Sequence, residues 1–412
     1  MLFRSDAVEL KDAAHLWGLD SYDSIDMIRK EPGNRRQSIL SIGPAGEKMV
    51  AAACLVVDKH SFGGRFGLGA VMGSKKLKAV AVHGTRTVPV HNPQEVTRLY
   101  KKHFRQIMDF TAHNGFTRHG TPGLCETAES LGDMPIKYWS GDTFTEGAQK
   151  LGAPNYTETL NAKPQPCRYC PIGCHRDIEF ADPPTLAVHG AGPEYETLGM
   201  MGSCCLIDDP KVVAKANDIA NRLGIDTISC GAMVAFAMQC HEAGWIDRQM
   251  AGTLSLEWGN AETLIELTRQ IGEREGLGAL FAEGTLRAAD AIHPGARSLV
   301  VHNKGLDYPA HDPRACISLA PSYATGTRGA CHFRGPAEDI EMGGFSIPEL
   351  GIEKGIVHFF EPDNQSRVAV ACQNLGVVVN SLVICMFMID GGNLSLTDTL
   401  EIFNAITGWD YT

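Results

Sequence analysis

No stretch of the chain approaches the roughly 18 to 20 apolar residues that a membrane-spanning helix needs. Its opening, Met1-Leu-Phe-Arg-Ser-Asp6, lacks the hydrophobic region of a secretory signal. A cytoplasmic protein without a membrane partner is therefore expected. Basic residues are also scarce: 37 lysines and arginines stand against 48 acidic residues, for a net charge of −11, and they form no stripe. That excludes the electrostatic footprint of a nucleic-acid binder. Nucleotide signatures fail on spacing. The run Gly67-x-Gly69-x-x-x-Gly73 is one residue too long for the dinucleotide fingerprint, and no Gly-Lys-Ser/Thr follows it to make a P-loop. Nor is there a recognisable Ser–His–Asp arrangement.

What is present is an ordinary globular composition, 44% hydrophobic and 21% charged over 412 residues, enough for a large core and two or three domains. Glycine is in surplus, 44 residues against a usual share of about 7%. The glycines cluster in short groups where backbone must turn or approach something closely. Thirteen cysteines are an odd count, and a reducing compartment disfavours disulfides. Cys54, Cys240 and Cys372 lie in apolar runs and read as plain buried side chains.

Along the chain, residues 1–90 read as β-rich, with strand-like segments at Met49–Asp58 and Leu77–His83 joined by a glycine-rich segment. From about Asn92 the pattern turns helical. Asp209-Pro210 opens a helix whose apolar residues Val212, Val213, Ala216, Ile219, Ala220 and Leu223 share one face, and Gly224 closes it. Further helices are predicted over Ala232–Ala243, Glu262–Glu275, 366–380 and 396–406. The boundaries drawn from this are 1–90, 91–304 and 305–412. Both ends read as those of an incomplete chain.

The strongest local signal is Pro166-Cys167-Arg-Tyr-Cys170-Pro-Ile-Gly-Cys174. Three thiolates around one tight loop, with a fourth from a distant segment, is a common way to hold a [4Fe–4S] cluster. A structural zinc site using His175, or three unrelated buried cysteines, are the competing readings. A quieter pattern is a repeated hexapeptide, Asn221-Arg-Leu-Gly-Ile-Asp226 and Asn380-Ser-Leu-Val-Ile-Cys385, each copy at a helix exit. The first copy could equally be a helix C-cap at Gly224.

At these segments the chain resembles the tungsten-containing aldehyde ferredoxin oxidoreductases. That family carries Asp-x-x-Gly-Leu-Asp and Asp-x-x-Gly-Leu-Cys segments that bind two pterins, the last cysteine being the fourth cluster ligand. Here asparagine replaces the first aspartate in both copies and Val383 replaces the second glycine. Four more stretches are similar, in family order: Gly64–Lys78, Gly192-Pro-Glu-Tyr-Glu-Thr197, Lys304–Arg314 and Ala324–His332. The implied fold class is α+β, a partial N-terminal β-rich pterin-binding domain followed by two mostly α-helical domains.

The resemblance further implies a tungsten–bis(molybdopterin) centre, or molybdenum in its place, with Mg2+ bridging the pterin phosphates and a [4Fe–4S] cluster. Cys167, Cys170, Cys174 and Cys385 would ligate the cluster, and Gly67, Gly69, Ala70, Asn221, Asp226, Asn380 and Lys304 would contact the pterins. Glu196 and His332 would handle protons, Tyr195 would donate a hydrogen bond to the substrate oxygen, and Glu194 is the rival acid/base. Without the resemblance, Glu196 reads as an ordinary solvated or capping carboxylate and His332 as a structural histidine. The implied reaction oxidises an aldehyde and passes electrons to ferredoxin; a homodimer is left open. Two other readings stand beside it: a tungsten-dependent benzoyl-CoA reductase-like subunit, and a non-enzymatic zinc-stapled helical interaction protein.

Overall fold

The computed structural model describes residues 2–4, 7–31, 37–84, 86–113, 115–343, 345–353, 362–389 and 393–412. It is an α+β fold, as expected: β-rich at the start and helical thereafter, with small sheets.

The first part is built on a six-stranded sheet, β1 (Leu2–Arg4), β2 (Ala7–Glu9), β3 (Ser38–Ser41), β4 (Leu55–Val57), β5 (Ser61–Gly63) and β6 (Ala79–His83), in the order β2-β1-β6-β3-β4-β5. Only the β1–β6 pair is parallel. Helix Ser21–Lys30, capped by the Asp20 side chain on Asp23 N, lies over it. Its Tyr22, Ile25 and Ile28 bury against Ile39, Val56, Ala79 and Ala81. The glycine-rich segment expected as a simple connection contains a helix, Leu68–Ser74.

The helical part centres on three helices sharing one large core, Pro210–Leu223, Thr227–Glu242 and Ala261–Glu273. The first behaves as the sequence dictates. Asp209 caps it by accepting from Lys211 N, Pro210 fills the first turn, and Gly224 ends it with φ +75°. The next helix starts earlier than expected, at Thr227, because Asp226 accepts from Ile228 N and Ser229 N and so caps it. This second helix is buried along nearly its whole length. Phe236 on it is fully buried and meets Phe281 edge-on at 6.5 Å; losing a ring in such a position costs about 3–5 kcal/mol.

Within the stretch read as purely helical lies a three-stranded antiparallel sheet, β7 (Lys163–Gln165), β8 (His175–Phe180) and β9 (Val188–Ala191). The cysteine loop is the turn between β7 and β8. Further on, helices Gln365–Ser381 and Leu396–Thr407 match the two expected there.

Candidate functional site

The cysteine loop is held from below by one buried side chain. Arg176, 1% exposed, donates to the carbonyls of Cys174, Gly173, Thr117 and Arg118, the last at 2.8 Å. A buried guanidinium with so many acceptors fixes the backbone that carries the cysteines. Cys170 N donates to Cys167 O at 3.0 Å, and Tyr169 and Gly173 both adopt φ +64° to close the turn. Cys174 is buried; Cys167 is exposed. The loop packs through Ile172, Cys170 and Cys174 against Phe387 and Met388, just beyond Cys385. Burial pushes the Cys174 thiol up, and Cys385, Cys170 and Cys167 are near enough to raise it further. The distant cysteine thus folds beside the loop.

The two hexapeptides also share a backbone. Gly224 has φ +75° and Val383, at the matching place, has φ +57°. A β-branched residue in this left-handed region is a genuine outlier, so the glycine-like turn survives without its glycine. Their surroundings differ. Asn221 and Asp226 are buried at a cavity wall, and the segment is stitched to the first domain by Cys54 N to Gly224 O and Asp226 N to Ala52 O. Asn380 is exposed, donates to its own helix at Gly376 O, and does not line that cavity.

The cavity is about 350 Å³ and brings Cys174, Glu194, Glu196, Asn221, Asp226 and His332 around one space. Glu196 keeps 18% of its side chain open and accepts from Ala310 N at 2.7 Å. Its Oε1 lies 3.2 Å from His332 Nδ1 and 3.6 Å from His311 Nε2. Burial pushes Glu196 up, opposed first by His311. Burial lowers His332 well below its ordinary value, which keeps it neutral. Glu194 sits deeper, accepting from Thr121 Oγ1, and burial pushes it up as well.

The hydroxyl of Tyr195 donates to Ala310 O at 2.8 Å. It positions Ala310, whose N–H in turn holds Glu196. The glycines also serve another purpose. A Cβ on Gly69 would meet Cys54 O at 2.5 Å and one on Gly67 would meet Ala51 O at 2.5 Å, so their bareness lets this segment approach the backbone that precedes β4. Ala70 packs on the main core. Neither they nor Lys304, which donates to Gly326 O, lines the cavity.

Arg65 lies within the glycine-rich segment Gly64–Lys78. It is nearly buried, donates to Ala330 O and Asp307 O, and stands 3.8 Å from Asp226. Its guanidinium ties the glycine-rich segment to the cavity wall. Around the cavity, His60 Nδ1, Glu196 Oε1 and His332 Nδ1 have no hydrogen-bond partner among the described residues. Buried polar atoms left unpaired at one cavity fit a ligand rich in hydrogen-bonding groups. His311, which the charged loop of Lys304, His311, Asp312 and Arg314 offered as a contact to pterin phosphates or substrate, lines the cavity, whereas the buried carboxylates Asp133 and Asp307 carry no mark in the sequence.

The profile of the aldehyde ferredoxin oxidoreductase N-terminal domain matches residues 1–84, and that of its domains 2 and 3 matches residues 95–412. Tungsten-containing aldehyde ferredoxin oxidoreductases of Pyrococcus furiosus and Thermococcus kodakarensis are each 34% identical, over 411 and 415 residues, covering 99% of this chain. The chain spans 65% of the length of either relative. The WOR-like subunit of an aliphatic sulfonate oxidoreductase from Pyrococcus furiosus is 25% identical, across 100% of this chain and 64% of its own. Among solved structures, the active-site complex of benzoyl coenzyme A reductase with a dienoyl-CoA superposes with a TM-score of 0.76 at 20% identity, over 99% of this chain and 67% of that one.

Proposed function

The chain belongs to the aldehyde ferredoxin oxidoreductase family, and on that premise we propose that its cavity oxidises aldehydes to carboxylic acids at a pterin-bound tungsten centre. When bound, tungsten or molybdenum in two dithiolenes accepts two electrons, and a [4Fe–4S] cluster passes them singly to a ferredoxin. Asn221 and Asp226 would hold one pterin. Asn380 and Lys304 would contact the second pterin by family position, and a Mg2+ ion would accompany the pterins on the same ground. The three segments 1–90, 91–304 and 305–412 remain the proposed units.

The observation that carries the reading is convergence: the cysteine loop, the first hexapeptide and the Glu196–His332 pair all reach one cavity. Oxidation of an aldehyde by water to a carboxylate releases three protons and two electrons, so the chain must remove protons near the reacting carbon. Glu196, held by Ala310 N, is placed to take one at Oε1, and neutral His332 can take another at Nδ1. Apolar walls from Ile225, Ile228, Phe333 and Phe387 limit competing water.

A zinc staple is less well supported. It would use Cys167, Cys170 and Cys174 and give Cys385 no role, whereas Cys385 folds close enough to Cys174 to raise its thiol further. The benzoyl-CoA reductase likeness, at 20% identity, concerns the fold alone. The test is steady-state oxidation of short aliphatic and aromatic aldehydes by the anaerobically purified, tungsten-loaded protein with a ferredoxin or viologen acceptor. Aldehyde-dependent acceptor reduction supports the reading; a loaded protein inert to both classes overturns it.

A further inference from the structure

Behind Glu196 lies a buried carboxylate that the reaction as described does not use. Asp133 has no exposed surface. Its Oδ2 is 2.6 Å from His311 Nδ1, and its Oδ1 accepts from Asp312 N at 3.0 Å. On the far side of the same ring, Nε2 points to Glu196 Oε1 at 3.6 Å. The ring also stands 4.7 Å from that of His332 and 5.2 Å from that of Tyr195. The ligand atoms of Glu196, His311 and His332 all lie within 4.8 Å of one another.

We propose that His311 is a further proton-handling residue of this site and that Asp133 is its positioning residue. The inference rests on the reading of the cavity as catalytic. With Nδ1 bonded to a carboxylate, that nitrogen carries the proton, and Nε2 is turned to the cavity. Fully buried and bonded on both oxygens, Asp133 cannot turn away, so the ring cannot flip.

The charges around His311 come from several elements. Asp133 faces it from the turn after helix Cys125–Ser130, Glu196 from the Tyr195–Thr197 turn, and Asp339 from helix Glu338–Gly343. His332 faces it from the His332–Arg334 turn, and the Tyr323 hydroxyl donates to His311 O at 3.2 Å. Burial alone would discharge the ring, but Asp133 first and then Glu196 push it up to about 9. A charged His311 and a neutral His332 therefore stand side by side. Burial pushes Glu196 up, and the charge on His311 is the leading influence in the opposite direction, favouring the carboxylate form. Glu196 is thereby able to act as base, and Asp133 controls this from a distance without touching substrate.

The test uses the tungsten-loaded holoenzyme and the variants Asp133→Asn, Asp133→Glu, His311→Gln and Asp133→Asn/His311→Gln. Loss of the positive charge should raise the acid limb of the kcat/KM profile by about one pH unit, roughly tenfold in rate on that side. The double variant should match His311→Gln alone, because both changes remove one unit, and Asp133→Glu should restore much of the wild-type profile. In parallel, 15N NMR of histidine-labelled protein reads the ring without turnover: both His311 nitrogens protonated at pH 7.5 in the wild type, one in Asp133→Asn. If Asp133→Asn fails to fold, the same limb shift is required of His311→Gln. An unmoved limb in folded, metal-loaded variants overturns the proposal, as does a neutral His311 in the wild type. If the wild type turns over no aldehyde yet shows the charged ring, the functional reading fails while the Asp133–His311 assignment stands.

Discussion

Glu196 Oε1 and His332 Nδ1 approach to 3.2 Å across the cavity, yet neither atom makes a hydrogen bond among the described residues. Two such groups, enclosed and misaligned, desolvate each other without compensation. The pair leaves both atoms open to a group placed beside it. Burial raises the proton affinity of the carboxylate and lowers that of the imidazole, which brings them toward one another and eases transfer between them.

Glu196→Gln keeps the shape and removes the base. Turnover should fall by about 10²- to 10⁴-fold, with tungsten and iron contents unchanged by elemental analysis. Unaltered kcat would move proton transfer to Glu194.

Cys385→Ser should lower iron below about four per chain and weaken the visible absorbance of the cluster, because Cys385 is the distant thiol that folds beside Cys174. A full iron complement and an unchanged spectrum would assign the fourth ligand elsewhere.

Asp226 has two duties that separate by substitution. Its carboxylate caps helix Thr227–Glu242 and stands 3.8 Å from the nearly buried Arg65. Asp226→Ala should destabilise the protein by roughly 2–4 kcal/mol in urea unfolding, about 1 for the cap and the rest for the stranded guanidinium. Asp226→Asn retains a capping oxygen and should cost less. If the residue contacts a pterin, both variants will also lose tungsten.

His311 makes stability depend on pH in one direction. Its folded value, about 9, lies above its ordinary value of 6.5, so between these the folded state holds more protons than the unfolded one. Its contribution is complete below about pH 6.5 and is lost as pH rises through about 9. The urea midpoint of the wild type should decline across that window, and His311→Gln should flatten the decline. A slope identical in both proteins would remove His311 as its source.

Local signals in the chain were read well where a single residue sets the geometry. Asp209-Pro210 and Gly224 bound their helix as cap and left-handed stop. The cysteine spacing marked a loop that is a true hairpin turn, but its flanking strands, of 3, 6 and 4 residues, went unseen. They are short and polar, and show no clear alternation of period two. Polar pairs between distant segments leave no periodic trace. Asp133 meets His311 from 178 positions away, and the Tyr195 hydroxyl donates to Ala310 O, 115 positions on. The glycines of the Gly64–Lys78 segment were visible, but which neighbour they admit was not. A bare α-carbon looks the same beside a phosphate or beside Cys54 O.

Metal analysis of the intact, anaerobically purified protein tests the central claim most directly, since it depends on neither substrate nor acceptor. The account predicts about four irons and one tungsten or molybdenum per chain. One zinc per chain, with neither iron nor tungsten nor molybdenum, would contradict it.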